Sequence, residues 1–112
     1  MVQYSSLDLD RVLGAVSDPT RRAILDRLSR GPARISDLAQ PFSMSLTGFC
    51  KHVRVLEKAR LVRRTRRGRD NTLALSPQPL RDASRWFLKY EQFWNTRLDR
   101  VEQFFAKQKE KP

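Results

Sequence analysis

The chain has 112 residues, enough for one domain or one domain with a long appended helix, and too few for a second core. It carries 23 Lys and Arg against 12 Asp and Glu, a net charge of +11 that exceeds what solubility needs and points to a polyanionic partner: DNA, RNA or an acidic surface. One Cys and one His exclude an intrachain disulfide and any zinc site built from several such ligands of one chain.

The first residues lack a basic leader region and carry acids within their short apolar stretch, so they do not read as a secretory signal. No run approaches the eighteen or so apolar residues of a membrane span. The expectation is a cytoplasmic, nucleoid-associated protein with no membrane partner.

Residues 7–16 place Leu9, Val12, Leu13 and Val16 at helical spacing, which predicts a short first helix. Asp18 is a good N-cap and Pro19 fits the first helical position, so a second helix is predicted over 20–30, burying Ala23, Ile24, Leu25 and Leu28. Gly31-Pro32 stops it. Ser36 caps a third, short helix through Leu38, Ala39 and Phe42, kept short by Pro41. Ser45 then caps a fourth helix over 46–59, whose inward residues are Phe49, Val53 and Leu56. Thr47, Cys50, Lys51, Arg54 and Lys58 point outward.

Two short stretches with strand character follow, 61–66 and 72–76. Arg67-Gly68-Arg69-Asp70-Asn71 lies between them, with Gly and Asn suited to positive φ, and the whole of 61–76 reads as a β-hairpin. The last and longest helix spans 78–107 and holds seven of the ten aromatic residues. Phe87, Tyr90, Trp94, Leu98, Val101 and Phe105 form one continuous stripe, widened by Trp86, Phe93 and Phe104. Either the stripe packs back on the chain's own core or it pairs with a second copy. So small a domain cannot cover so broad a face, so the preferred reading is a homodimer joined through this helix and the first, using Leu9, Val12, Leu13, Phe87, Tyr90, Trp94, Leu98, Val101 and Phe105. Residues 103–112 fade into a polar tail that frays.

The charge is uneven. Lys51, Arg54, Lys58, Arg60, Arg63, Arg64, Arg66, Arg67 and Arg69 face only Glu57 and Asp70 within twenty residues. Two short helices joined by a tight turn make a helix-turn-helix, and an arginine-rich hairpin directly after them makes a winged helix. A single helix fits the major groove, where base edges are distinguishable, and a wing reaches phosphates or the minor groove. The expected DNA contacts are Ser45, Thr47, Gly48, Cys50, Lys51, His52, Arg54, Arg66, Arg67 and Arg69.

Three of these have two readings each. Gly48 costs about 1 kcal/mol of helix propensity, explained equally by close approach to DNA or by a tight helix–helix contact. His52 either contacts phosphate or a base edge, the first choice, or flanks the core. Cys50 is either a thiol whose oxidation would disturb docking or a small packed residue.

Asp18-Pro19-Thr20-Arg21-Arg22-Ala23-Ile24-Leu25, Pro41-Phe42-Ser43-Met44-Ser45-Leu46 and Cys50-Lys51-His52-Val53-Arg54-Val55-Leu56-Glu57-Lys58-Ala59 together resemble the ArsR/SmtB-type winged-helix transcriptional regulators. Gly68-Arg69 and the Trp86, Tyr90, Phe93, Trp94, Leu98 pattern resemble its metal-independent branch. The resemblance covers about residues 8–105. It implies a mainly α fold with a small β-hairpin wing in the order α-α-α-α-β-β-α, dimerising through the first and last helices. It also implies repression from an inverted-repeat operator in double-stranded DNA, including the regulator's own promoter. Metal sensors of the family carry Cys-x-Cys on the third helix, where this chain has Ile35-Ser36-Asp37-Leu38-Ala39-Gln40, or a His and carboxylate set on the last helix, where it has no His. No metal and no cofactor are therefore expected. Phe49 and Cys50 stand where relatives more often have a β-branched residue and Ser. Arg60 stands where the helix usually ends in Gly, which implies a left-handed residue at a cost of about 1 kcal/mol.

Other functions fit less well. A general RNA or chromatin binder would more naturally expose aromatics beside the charge for stacking, whereas here they lie on a separate amphipathic helix. A protein-interaction module would use that helix with DNA incidental. An enzyme lacks any cluster of acid, base and nucleophile, and any phosphate-cradling glycine loop.

Overall fold

The computed structural model describes the backbone of residues 6–110 and the side chains of residues 8–108 apart from Trp94. Four helices come first: α1 (Ser6–Val16), α2 (Pro19–Leu28), α3 (Ile35–Ala39) and α4 (Leu46–Lys58). A two-residue strand β1 (Ala33–Arg34) precedes α3, and the hairpin β2 (Val62–Arg67) and β3 (Asp70–Leu75) leads into α5 (Gln78–Glu110). The fold is a mainly helical winged helix-turn-helix with a small antiparallel sheet, in the predicted order of helices and hairpin.

Each helix start and stop has a local cause. Asp18 caps α2, its carboxylate accepting from the Arg21 amide at 3.0 Å, and Pro19 occupies the first turn. Ser45 caps α4 by accepting from the Gly48 amide at 3.0 Å. The C-terminus of α4 closes with Arg60 at φ 60°. The Arg60 amide donates to the Glu57 carbonyl at 2.9 Å and the Leu61 amide to the Leu56 carbonyl at 3.0 Å. That pair of bonds is a Schellman motif, with Leu61 buried beside Leu56 as its apolar contact. Arg60 thus takes the left-handed conformation that its position implied.

The core is drawn from every layer: Val12 and Ala15 of α1, Ile24, Leu25 and Leu28 of α2, Ile35 and Leu38 of α3, and Phe49, Val53 and Leu56 of α4, with Leu61, Val62 and Leu73 of the hairpin region and Ala83 of α5. Strand order is β1-β3-β2, with Ala33 opposite Leu73 and Val62 opposite Leu75. Only Val62 of β2 is buried. Arginines along this exposed edge strand discourage pairing with another sheet.

Several sequence expectations need correction. Strand β1 was not foreseen, because two residues after Gly31-Pro32 show no alternation. Its extended Arg34 runs straight into α3, so that helix has no side-chain cap and Ser36 lies within it. Ala23 is exposed, one residue round α2 from Ile24. The hairpin turn is only Gly68-Arg69, and Asn71 sits in β3 opposite Arg66. Gly68 at φ 60° supplies the positive φ of the first central position of a type II′ turn. Helix α5 continues to Glu110 rather than fading near residue 103.

Replacing Arg60 with Gly removes the left-handed penalty at the cost of some chain entropy. A gain of about 0.5–1 kcal/mol is expected in urea unfolding at fixed protein concentration.

Candidate nucleic-acid interface

Phe49, Val53 and Leu56 are fully buried (0% exposed), which fixes the rotation of α4 about its axis. The opposite face carries Thr47, Lys51, Arg54 and Lys58, all exposed. Thr47, Lys51 and Arg54 have no hydrogen-bond or ion-pair partner among the described residues, so each is available to an outside ligand. The turn before α4 is held by Phe42, whose ring centroid lies 5.4 Å from that of Phe49.

The hairpin stands beside α4 on the Cys50–Glu57 flank. Arg64 donates to Glu57 Oε1 at 2.7 Å, a bond between wing and helix that the charge pattern did not reveal. An open groove of about 310 Å³ separates the two, bordered by Leu46 and Cys50 on α4, Ser36 on α3, and Arg64, Arg69 and Asn71 on the hairpin. At the tip, Arg66 Nε donates to the Gly68 carbonyl at 3.2 Å, bracing the turn. Arg67 and Arg69 are exposed and unpaired among the described residues.

Other predicted residues sit differently. Cys50 is half-buried and packs against the core, at the edge of the groove rather than on the outward face. Gly48 has the Ser45 hydroxyl as its close neighbour: a Cβ there would lie 3.2 Å from Ser45 Oγ, so the cap, not another helix, crowds the position.

His52 faces the junction of α1 and α2. Arg21 Nη1 donates to its Nδ1 at 3.0 Å. A guanidinium only donates, so in this hydrogen bond Nδ1 is the acceptor. Asp18 Oδ2 lies 3.7 Å from the same nitrogen, beyond hydrogen-bond reach. His52 thus makes a contact within the chain, from α4 to α2, of the kind its second reading describes.

Of the predicted dimer-interface residues, Val12 is 1% exposed and belongs to the chain's own core, so it has no surface to offer a partner; Leu9 and Leu13 are half-buried. On α5, Leu80 and Ala83 reach the core. Beyond them Phe87, Tyr90, Leu98, Val101 and Phe105 are 49–56% exposed, and Trp86, Phe93 and Phe104 are 38–58% exposed beside them, with the Arg97 guanidinium 4.3 Å from the Phe93 ring centroid. The side chain of Trp94 is outside the described residues. The alternative in which the stripe packs back on its own core is therefore not what the fold adopts.

Among the described residues, no three His, Cys, Asp or Glu side chains come together in a way that would hold a metal ion, and no helix is long and apolar enough to cross a membrane.

A short helix, a tight turn and a capped second helix with a polar outward face, followed by an arginine-tipped hairpin, define a winged helix-turn-helix of the DNA-binding class. A family model described as a helix-turn-helix domain matches residues 16–65. The transcriptional repressor SdpR of Bacillus subtilis is 33% identical over 82 residues, covering 73% of this chain and 91% of that protein. A crystal structure of an ArsR family transcriptional regulator superimposes with a TM-score of 0.77 at 41% identity, covering 85% of this chain and 97% of the other. A homodimeric winged helix-turn-helix DNA-binding domain from Mycobacterium bovis shares the fold, at 23% identity and a TM-score of 0.60, covering 89% and 95%. The chain belongs to the ArsR family of DNA-binding transcriptional regulators.

The Asp18 carboxyl is held below its usual 3.8 by the hydrogen bond from the Arg21 amide and by the Arg21 charge, against the opposing effect of burial. A depressed carboxylate adds stability that is present above pH 3.8 and lost as pH falls through the folded value. Asn caps as well as Asp but does not titrate. Wild type should therefore lose stability relative to Asp18→Asn as urea unfolding is repeated from pH 5 down to pH 3, while Asp18→Ala costs about 1 kcal/mol at neutral pH.

Proposed function

We propose that the chain acts as a homodimeric, sequence-specific repressor. It reads an inverted-repeat operator with α4 in the major groove and the hairpin on the backbone or minor groove. The observation that carries this reading is the row of exposed Thr47, Lys51 and Arg54 on α4, without partners among the described residues, flanked by Arg67 and Arg69 at the hairpin tip. A capped helix with unpaired polar side chains on its first turns suits base edges. An exposed cationic tip suits phosphates, which position without specifying. Ser45, its Oγ engaged by the Gly48 amide, keeps its own hydroxyl proton for a phosphate oxygen.

The exposed apolar stripe of α5, with half-buried Leu9 and Leu13 on α1, supports dimerisation through those two helices, and the homodimeric M. bovis domain supports a homodimer. SdpR, named as a repressor, supports repression rather than activation. The absence of the family's metal-sensing residues supports assignment to the metal-independent branch. Control of the chain's own promoter is part of the proposal. Cys50, packed at the groove edge, acts as a spacer rather than a base reader, and the base-reading role narrows to Thr47, Lys51 and Arg54.

The test is binding to the chain's own upstream DNA against random duplex, with light scattering to establish a dimer. Replacing Lys51 or Arg54 with Ala should cost about 1–3 kcal/mol on the operator and little on random DNA. Replacing Arg67 or Arg69 should weaken both alike and reduce the salt slope by about 1 each. Equal losses on both duplexes for all four variants would favour a nonspecific architectural binder.

A further inference from the structure

Arg21 is tied to three elements at once. Its backbone amide donates to Asp18 at the start of α2. Its guanidinium donates through Nε to the Ala15 carbonyl at 2.8 Å and through Nη2 to the Gly14 carbonyl at 3.3 Å, both in the last turn of α1. Through Nη1 it reaches His52 on α4 at 3.0 Å. The last carbonyls of a helix have no partner within it, and a cation suits the negative end of the helix dipole. The neighbouring Arg22 also serves α1, donating to the Val16 carbonyl at 2.8 Å, yet Arg21 alone continues to α4. The groups against the His52 ring both come from the start of α2: Arg21 Nη1 at 3.0 Å and Asp18 Oδ2 at 3.7 Å.

Helix α1 belongs to the half of the molecule assigned above to dimerisation, and α4 to the half assigned to reading DNA. The packing between them is apolar and non-directional, with Val12 and Ala15 of α1 and Val53 and Leu56 of α4 in one buried cluster. Such packing resists separation more than it resists small rotations. Hydrogen bonds have preferred directions and do resist rotation.

We propose that Arg21 and His52 are a positioning pair that sets the angle of α4 against α1 and, through it, the half-site spacing the dimer accepts. The inference rests on the reading of α4 as the DNA reader in a dimer. Neither residue needs to touch DNA. In a two-fold dimer a small rotation of α4 in each copy displaces both readers, so the spacing between half-sites shifts while each half-site contact survives. The pair therefore acts on spacing selectivity rather than on affinity for DNA in general.

The experiment measures binding of the full chain to a series of inverted repeats whose central spacer is lengthened or shortened by one and two base pairs, with random duplex as reference. Wild type, His52→Ala, His52→Asn and Arg21→Lys are compared, each checked for dimer size and thermal melting. Wild type should prefer one spacing by at least about tenfold. His52→Ala and Arg21→Lys should flatten that preference to within about threefold, with random-duplex affinity unchanged. His52→Asn, whose Oδ1 stands close to the Nδ1 position and accepts from Arg21, should restore it. If His52→Ala fails to fold, Arg21→Lys and the Asn rescue carry the comparison. A folded, dimeric His52→Ala or Arg21→Lys that keeps the full spacing preference overturns the inference alone. A wild type with no spacing preference overturns the dimeric reading and this inference with it.

Discussion

The seating of α4 is the constraint on which the rest depends. Phe49, Val53 and Leu56 lie at spacings of four and three, and all three are fully buried. Burying a side chain of this kind is worth about 1.5–3 kcal/mol, so rotating the helix by a quarter turn would forfeit several such terms together. The rotation is fixed for hydrophobic reasons, and the outward direction of Thr47, Lys51 and Arg54 follows from it. The ends are fixed by hydrogen bonds: the Ser45 cap at one, the Schellman motif at Arg60 and Leu61 at the other. A helix held in rotation by its core and in length by its caps presents its polar face with little freedom, which is what the proposed reading of base edges requires.

The two flanks of α4 are treated differently. On one side Glu57 holds Arg64 of the hairpin, joining the hairpin to α4 through an ion pair whose side chains are each about a third exposed. Such a pair contributes at most about 1 kcal/mol, so it orients the wing more than it stabilises it. On the other side His52 meets Arg21 and, through it, the end of α1. Six of the nine basic residues of the 51–70 segment are thus divided in role: Arg64 is held by the protein itself and Arg66 braces the turn, while Lys51, Arg54, Arg67 and Arg69 keep their charges outward. Fold stability and ligand charge come from the same run of sequence without competing, because different positions serve each.

Most of the architecture was legible in the sequence, since it is written in local signals. Asp18 and Ser45 as caps, Gly31-Pro32 as a stop, the period of α4 and the glycine of the hairpin all act within a few residues. What escaped was set by contacts distant in sequence. Strand β1 exists only because Leu73 and Thr72 lie opposite it. Ala23 and Asn71 were misplaced because a one-residue rotation or a two-residue turn decides their environment, and boundaries carry little signal. The Arg21–His52 contact joins residues 31 apart, which no local pattern reveals. The inward lean of Cys50 and the complete burial of Val12 likewise depend on how helices pack, and spacing on a single helix shows only that each is near a boundary.

The central claim is that α4 of a two-fold dimer reads sequence. Selection of bound duplexes from a random pool tests it most directly, without presupposing an operator. The account predicts enrichment of an inverted repeat whose half-sites lie about one helical turn, 10–10.5 base pairs, apart. Recovery of a pool with no shared sequence, or of a single unrepeated half-site bound by a monomer, would contradict it.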